Sequence, residues 1–158
     1  MMMKAMHLLQ RTAMLATLVF ACSALQAAVI VHDGYVRAPV PGQNMAAAFM
    51  VISNDGDKPV QLVAVKSDVA AQLELHGHTQ DNGIMRMRRI ESLPVPAKGE
   101  VTLAPGGMHL MLVDLRKPLV EKQQVVFTLV FGDGTEVKAE MPVVSVMDEM
   151  PADHAHHH

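Results

Sequence analysis

Short apolar or β-branched runs alternate with turn chemistry along nearly the whole of this chain, and that alternation leaves no room for long helices. The runs are Val29–Arg37, Asn44–Ser53, Val60–Lys66, Ala71–His76, Ile84–Glu91, Val101–Leu103, His109–Leu115, Val125–Phe131 and Glu136–Val144. Between them lie Pro39-Val40-Pro41-Gly42, Asn54-Asp55-Gly56-Asp57, Asp81-Asn82-Gly83, Pro105-Gly106-Gly107 and Gly132-Asp133-Gly134. Asn and Gly tolerate positive φ, so Asp-Asn-Gly and Gly-Asp-Gly between apolar runs predict hairpins. Ala46-Ala47-Ala48 could open a helix, but the Phe-Met-Val-Ile that follows favours a buried strand. Regularly spaced short strands predict an all-β fold, a two-sheet antiparallel sandwich or Greek-key barrel. No repeat or linker divides the chain, which predicts one domain over residues 28–146.

The first residues read as a leader. Lys4 and Arg11 precede an apolar run from Thr12 to Ala21, and Cys22-Ser23-Ala24-Leu25-Gln26-Ala27-Ala28 supplies small residues at its exit. That is the layout of a secretory signal peptide over residues 1–27, cleaved after Ala27 or Ala28. The run is shorter than the roughly 20 apolar residues that span a bilayer. Leu18-Val19-Phe20-Ala21-Cys22 also resembles a lipobox, which would lipidate Cys22, but Phe20 is an unusual occupant and cleavage is preferred. At the other end, residues 147–158 are polar, contain Pro151 and have no periodicity, so a disordered tail is expected there.

Composition then removes whole classes of function. Without Lys4 and Arg11 the exported chain carries 11 basic and 16 acidic side chains, a net charge of −5. Arg86, Arg88 and Arg89 are its one basic cluster, too small to neutralise a nucleic-acid backbone. The only cysteine, Cys22, lies in the leader. The mature chain therefore has no disulfide, no thiolate nucleophile and no blue-copper His₂Cys site. No Gly-x-Ser-x-Gly elbow or His-Glu-x-x-His motif supports a hydrolase. A histidine-brace oxygenase would need cleavage directly before His32, after Ile30-Val31, a poor peptidase site. The expectation is a protein that is not an enzyme.

Methionine is abundant instead, with nine of 14 residues in the mature chain. Met45, Met50, Met85, Met108 and Met141 read as core packing, Met85 least securely because it shares a face with Met87. His32 and His78 read as surface or hydrogen-bonded residues. The remaining histidines and methionines form a pattern. Leu73 and Leu75 share one face of their strand, so Glu74 and His76 share the other. Met108, Leu110 and Leu112 likewise leave His109 and Met111 together on the opposite face, about 6.7 Å apart. His76, Met87, His109 and Met111 are soft or borderline donors without a carboxylate among them. Thioether and imidazole suit Cu(I), whereas Mg²⁺, Ca²⁺ and Zn²⁺ prefer other sets.

The spacing His-x10-Met-x21-His-x-Met has a chance frequency of about 1 in 1,000 in a chain of this composition. It resembles the signature of the PCuAC family of periplasmic copper chaperones. Tyr35-Val36-Arg37, Ala47-Ala48-Phe49 leading to Asn54, Glu74-Leu75-His76, Gly83-Ile84-Met85-Arg86-Met87 and Pro105-Gly106-Gly107-Met108-His109-Leu110-Met111-Leu112 carry the likeness, which runs from Val29 to Val144. Tyr35 where Trp is frequent and Lys122 near a usual Gly depart from it. The resemblance implies a cupredoxin-like β-barrel with an accessible Cu(I) site at the four residues. It further implies a periplasmic metallochaperone for copper homeostasis; a monomer is expected. Its protein partner would be cytochrome c oxidase subunit II, whose copper centre it would help assemble, or another copper chaperone. Copper storage or resistance is the near alternative, and a metal-free β-sandwich interaction module the distant one. Separately, His154, His156, His157 and His158 could take Cu(II) through imidazole and backbone nitrogen.

Overall fold

The computed structural model describes residues 29–149; the expected leader, with Cys22, and the tail from Met150 onward lie outside the described residues. Ten strands follow one another: β1 (Val29–Arg37), β2 (Met45–Asn54), β3 (Val60–Lys66), β4 (Ala70–Asp81), β5 (Ile84–Arg89), β6 (Leu93–Val95), β7 (Gly99–Leu103), β8 (His109–Leu115), β9 (Gln124–Phe131) and β10 (Glu136–Val144). A four-residue helix, α1 (Val146–Glu149), ends the described chain, so the expected tail starts within a helical turn.

Period-two alternation decides which face of each strand is covered. On β9, Val125, Phe127, Leu129 and Phe131 are buried while Gln124 and Val126 are exposed. Leu110 and Leu112 of β8, Ala48, Met50 and Ile52 of β2 and Met141 and Val143 of β10 meet them in one apolar cluster. Each large side chain so enclosed contributes about 1.5–3 kcal/mol. The strands run in the order β5-β4-β8-β2-β1-β10-β9-β3-β6, with β7 also paired to β2, and the path stays open at β5 and β6. The result is an all-β sandwich, as expected. Among the described residues the only parallel pairing is the short junction of β1 with β10, Val36 against Val143 and Arg37 against Val144.

Two local devices position the strands that matter below. β8 and β7 lie along the same edge of β2, one after the other: Met45–Ala48 pair with β8, and Met50–Asn54 with β7. The turn between them is closed by the Ala104 N–H donating to Met108 O at 2.9 Å and the Gly107 N–H to Ala104 O at 3.0 Å. His109 therefore enters the sheet directly after a fixed turn. The β4–β5 hairpin turns on Asn82 and Gly83, with φ of 50° and 80°, between the paired Asp81 and Ile84. Positive φ at both central residues defines the tight turn that Asn-Gly favours.

Apolar alternation predicts a fourth strand ending at His76, whereas β4 continues to Asp81. Its first half pairs with β8 and its second with β5, out beyond the core. The outer half faces solvent, so no apolar alternation marks it. β6 was not foreseen; Pro94 interrupts its pattern, yet Leu93 and Val95 are buried and the strand sits at the sheet edge, where a proline is tolerated.

Asn54, at the end of β2, is the buried polar side chain among the described residues. Its amide donates to Lys58 O at 2.8 Å and to Val95 O at 3.4 Å, and its oxygen accepts from the Gly56 N–H at 2.9 Å. One side chain thus closes the 54–58 turn and ties it to β6.

Candidate metal centre

The strand register gathers the residues singled out in the sequence on one face. His76 of β4 lies directly opposite His109 of β8, and Glu74 opposite Met111. On the other side of β4, Arg89 of β5 faces His76 and Met87 faces His78. Paired residues project to the same side, so His76, His109, Met111 and Met87 share the outer face of three adjacent strands. The two imidazoles lie with ring centroids 5.6 Å apart and planes inclined at 42°. That separation lets one ion sit about 2.0–2.1 Å from a nitrogen of each ring, the usual metal–imidazole distance. Met111 stands on the same strand face two residues after His109. Met87 is one rung off, diagonal to His76, at the about 7–8 Å offset that a long side chain can bridge.

Hydrogen bonds set which nitrogens are free. His76 Nε2 donates to Glu74 Oε2 at 3.0 Å, leaving Nδ1 as the lone-pair nitrogen of a neutral ring. His109 Nδ1 donates to the Gly107 carbonyl at 3.2 Å, leaving Nε2. Holding a ligand histidine through its other nitrogen is the standard way of fixing tautomer and orientation. On its far side His109 meets Phe49, ring centroids 6.4 Å apart; Phe49 in turn contacts Tyr35 at 5.2 Å and carries the Arg37 guanidinium over its ring at 4.9 Å. This aromatic flank covers one side of the imidazole pair, while the β5 side is open.

Sequence alternation placed Glu74 beside His76 but gave it no role, and the face holds a carboxylate after all. Glu74 is occupied as an acceptor: besides His76, it takes Arg89 Nη1 at 3.2 Å. The His76 hydrogen bond holds its carboxyl below the ordinary value of 4.5, partial burial opposes that shift, and Arg89 adds to it. An acid with a depressed folded-state pKa adds stability that is present above its unfolded value and is lost as pH falls through the folded one. Urea midpoints measured from about pH 6 down to about pH 3 should therefore drop more steeply for the wild type than for Glu74→Gln. Parallel curves would show that the pair contributes nothing to folding.

Two of the methionines assigned to the core are not there. Met85 is 60% and Met45 45% exposed, against 2% for Met50 and 0% for Met141; Met108 is partly buried against the core. β5 lies beyond the core and Met45 at the strand's exposed start, and alternation alone does not reveal whether a face is covered. His32 and His78 are hydrogen-bonded surface residues, as expected: His32 to Asp33 at 2.8 Å and Ser53 at 3.0 Å, His78 to the Gly106 carbonyl at 2.8 Å. The histidine brace loses its footing, because cleavage before His32 would remove Val29, Ile30 and Val31, which pair with β2. Among the described residues no three His, Cys, Asp or Glu side chains gather as a metal cluster, so an ion held by the histidine pair would draw further donors from the thioethers.

The open-ended β-sandwich thus carries paired imidazoles and thioethers on an outer sheet face, a donor set suited to a soft metal ion. The chain belongs to the LpqE-like family, whose model matches residues 29–143. It is 36% identical over 116 residues to "Putative lipoprotein Lxx21020" of Leifsonia xyli subsp. xyli, an alignment covering 73% of this chain and 69% of that protein. It is also 28% identical over 93 residues to the uncharacterized protein RP573 of Rickettsia prowazekii; there it covers 58% of this chain and spans about half, 51%, of the relative. Among solved structures, the copper-bound PCuAC domain from PmoF2 superposes with a TM-score of 0.64 at 29% identity, covering 74% of this chain and 92% of that one. The solution structure of CuI-DR1885 from Deinococcus radiodurans gives 0.63 at 30% identity, covering 76% and 80%. The fold is thus the cupredoxin-like sandwich of PCuAC domains, which bears out the resemblance read from the motif.

Proposed function

We propose that this protein is an extracytoplasmic copper metallochaperone, not an enzyme, that holds one Cu(I) with His76, Met87, His109 and Met111 and passes it to a protein acceptor. The observation that carries this is the direct pairing of His76 with His109, 5.6 Å between ring centroids, with Met111 and Met87 on the same face. The PCuAC domain of PmoF2 in its copper-bound form and DR1885 in its Cu(I) form support copper as the cargo. Lipoprotein naming in the family and in the Leifsonia relative supports export, here to the periplasm through residues 1–27.

Transfer follows from the donor set. Thioethers are neutral and bind more weakly than thiolates, and Cu(I), with a filled d shell, accepts low and distorted coordination. The ion can therefore exchange donors one at a time with an acceptor approaching over β5. The copper centre of cytochrome c oxidase subunit II, or another copper chaperone, is the proposed recipient. An open site for a single ion favours delivery over storage. In the tail, His154, His156, His157 and His158 would collect Cu(II) as a separate position.

Anaerobic competition against a chromophoric Cu(I) chelator, with a parallel Cu(II) titration, tests both parts. One tight Cu(I) equivalent with weak Cu(II) binding at the sheet site is the expected outcome, and comparable affinities for the two oxidation states there would refute it. Removing residues 147–158 should abolish Cu(II) uptake and leave the Cu(I) equivalent intact. Undiminished Cu(II) uptake would dismiss the tail position.

A further inference from the structure

Exposed methionine needs a reason, because a thioether is apolar and ordinarily serves as pliable packing. Met85 is 60% exposed and Met87 41%, and both lie on β5, whose six side chains are all solvent-facing. They share one face of the hairpin. His78 lies directly across from Met87, and Gln80 across from Met85, so His78 is the diagonal neighbour of Met85. His78 Nε2 donates to the Gly106 carbonyl at 2.8 Å. In the neutral ring this leaves the lone pair on Nδ1. One imidazole nitrogen and two thioether sulfurs therefore collect on the hairpin one rung outside His76, and core packing explains none of them.

We propose that His78, Met85 and Met87 form a second, outer Cu(I) position that shares Met87 with the inner site. The inference rests on the reading of the inner site as a Cu(I) site. Three N/S donors suffice for Cu(I), and the trio contains no carboxylate that would favour a hard cation. Arg89, the cation on the same face, is paired with Glu74 rather than aimed at the hairpin tip. The outer position is the weaker of the two, since its donors are more exposed and lack the aromatic flank beside His109. With Met87 common to both, an ion moves between them by donor exchange alone: a bond to His78 or Met85 breaks as one to His76 or His109 forms, and copper stays Cu(I).

The test uses the mature chain with ¹³C-methyl-labelled methionine, titrated anaerobically with Cu(I) and followed by NMR. The first equivalent should move the Met87 and Met111 methyl signals. A second, weaker equivalent takes Met87 over, leaving the first ion on His76, His109 and Met111, and should move the Met85 methyl and shift the Met87 methyl again. Met85→Leu, a size-matched change at an exposed position, should lose the second equivalent and hold the first within about twofold of wild-type affinity. A titration that ends at one equivalent overturns the outer position. So does a second equivalent that moves only Met147 and Met150 and persists in Met85→Leu. A first equivalent that leaves Met87 and Met111 unmoved is a different failure, one that removes the inner site and this proposal with it.

Discussion

Replacing His109 with alanine should weaken Cu(I) binding by at least about 100-fold, the upper end of what losing a mere supporting contact costs. His109 faces His76 across the β4–β8 pairing, and its free Nε2 is one of the two imidazole nitrogens of the proposed inner site. Without it the ion keeps one imidazole and neutral thioethers. Met111→Ala should weaken binding in the same direction, and by less, since a thioether is the softer and weaker donor. Glu74→Gln leaves every proposed ligand in place and should cost nearer the about 10-fold lower end. The ordering His109→Ala, Met111→Ala, Glu74→Gln is what chelator competition should return. Equal affinities across the three variants and the wild type would remove copper from this face altogether.

Asn54→Asp should do the reverse, costing stability and sparing copper. The side chain is 1% exposed, and its amide donates to two carbonyls, Lys58 O and Val95 O. A carboxylate cannot donate; it would put a buried charge against two oxygens while still accepting from the Gly56 N–H. Leaving buried polar groups unpaired in this way costs about 2–4 kcal/mol. Burial against acceptors raises the acid's folded pKa, so the folded state would take up a proton and the deficit should shrink as pH falls. Urea unfolding of the variant at neutral and at acid pH checks both statements. An unchanged midpoint at neutral pH would mean that water replaces the lost amide. Since the 54–58 turn and β6 are no part of the proposed site, Cu(I) affinity should stay at the wild-type value.

Much of this was open to reading in the sequence, for reasons that differ from residue to residue. β1, β3, β8 and β10 have the bounds read from the sequence, and at the end of β1 and the starts of β3, β8 and β10 turn chemistry marks them, because Gly, Pro and Asn break strands through backbone conformation and need no tertiary context. The faces of β8 were legible because Met108, Leu110 and Leu112 contrast with His109 and Met111. β6 was hidden by Pro94, and the outer half of β4 by having no covered face. Met45 and Met85 were misplaced for the same physical reason: a methionine looks alike on a packed and on an open strand. The register that brings His76 opposite His109 could not be derived from local pattern at all. It depends on which strands pair, and before the structure only the motif resemblance spoke to it. Glu74 was placed correctly on its face, but its bond to His76 Nε2 emerges only from side-chain geometry.

His76 and His109 are 33 positions apart in the chain and meet only because β4 and β8 pair in register. Met87 reaches them through a different pairing, that of β4 with β5. An unfolded chain has no such meeting point, so the four donors cannot close around one ion. If residues 1–27 thread the protein across a membrane before it folds, it cannot carry copper out of the cytoplasm as luggage. On the proposed reading it arrives with this site empty and loads copper on the far side, once the sheet has closed.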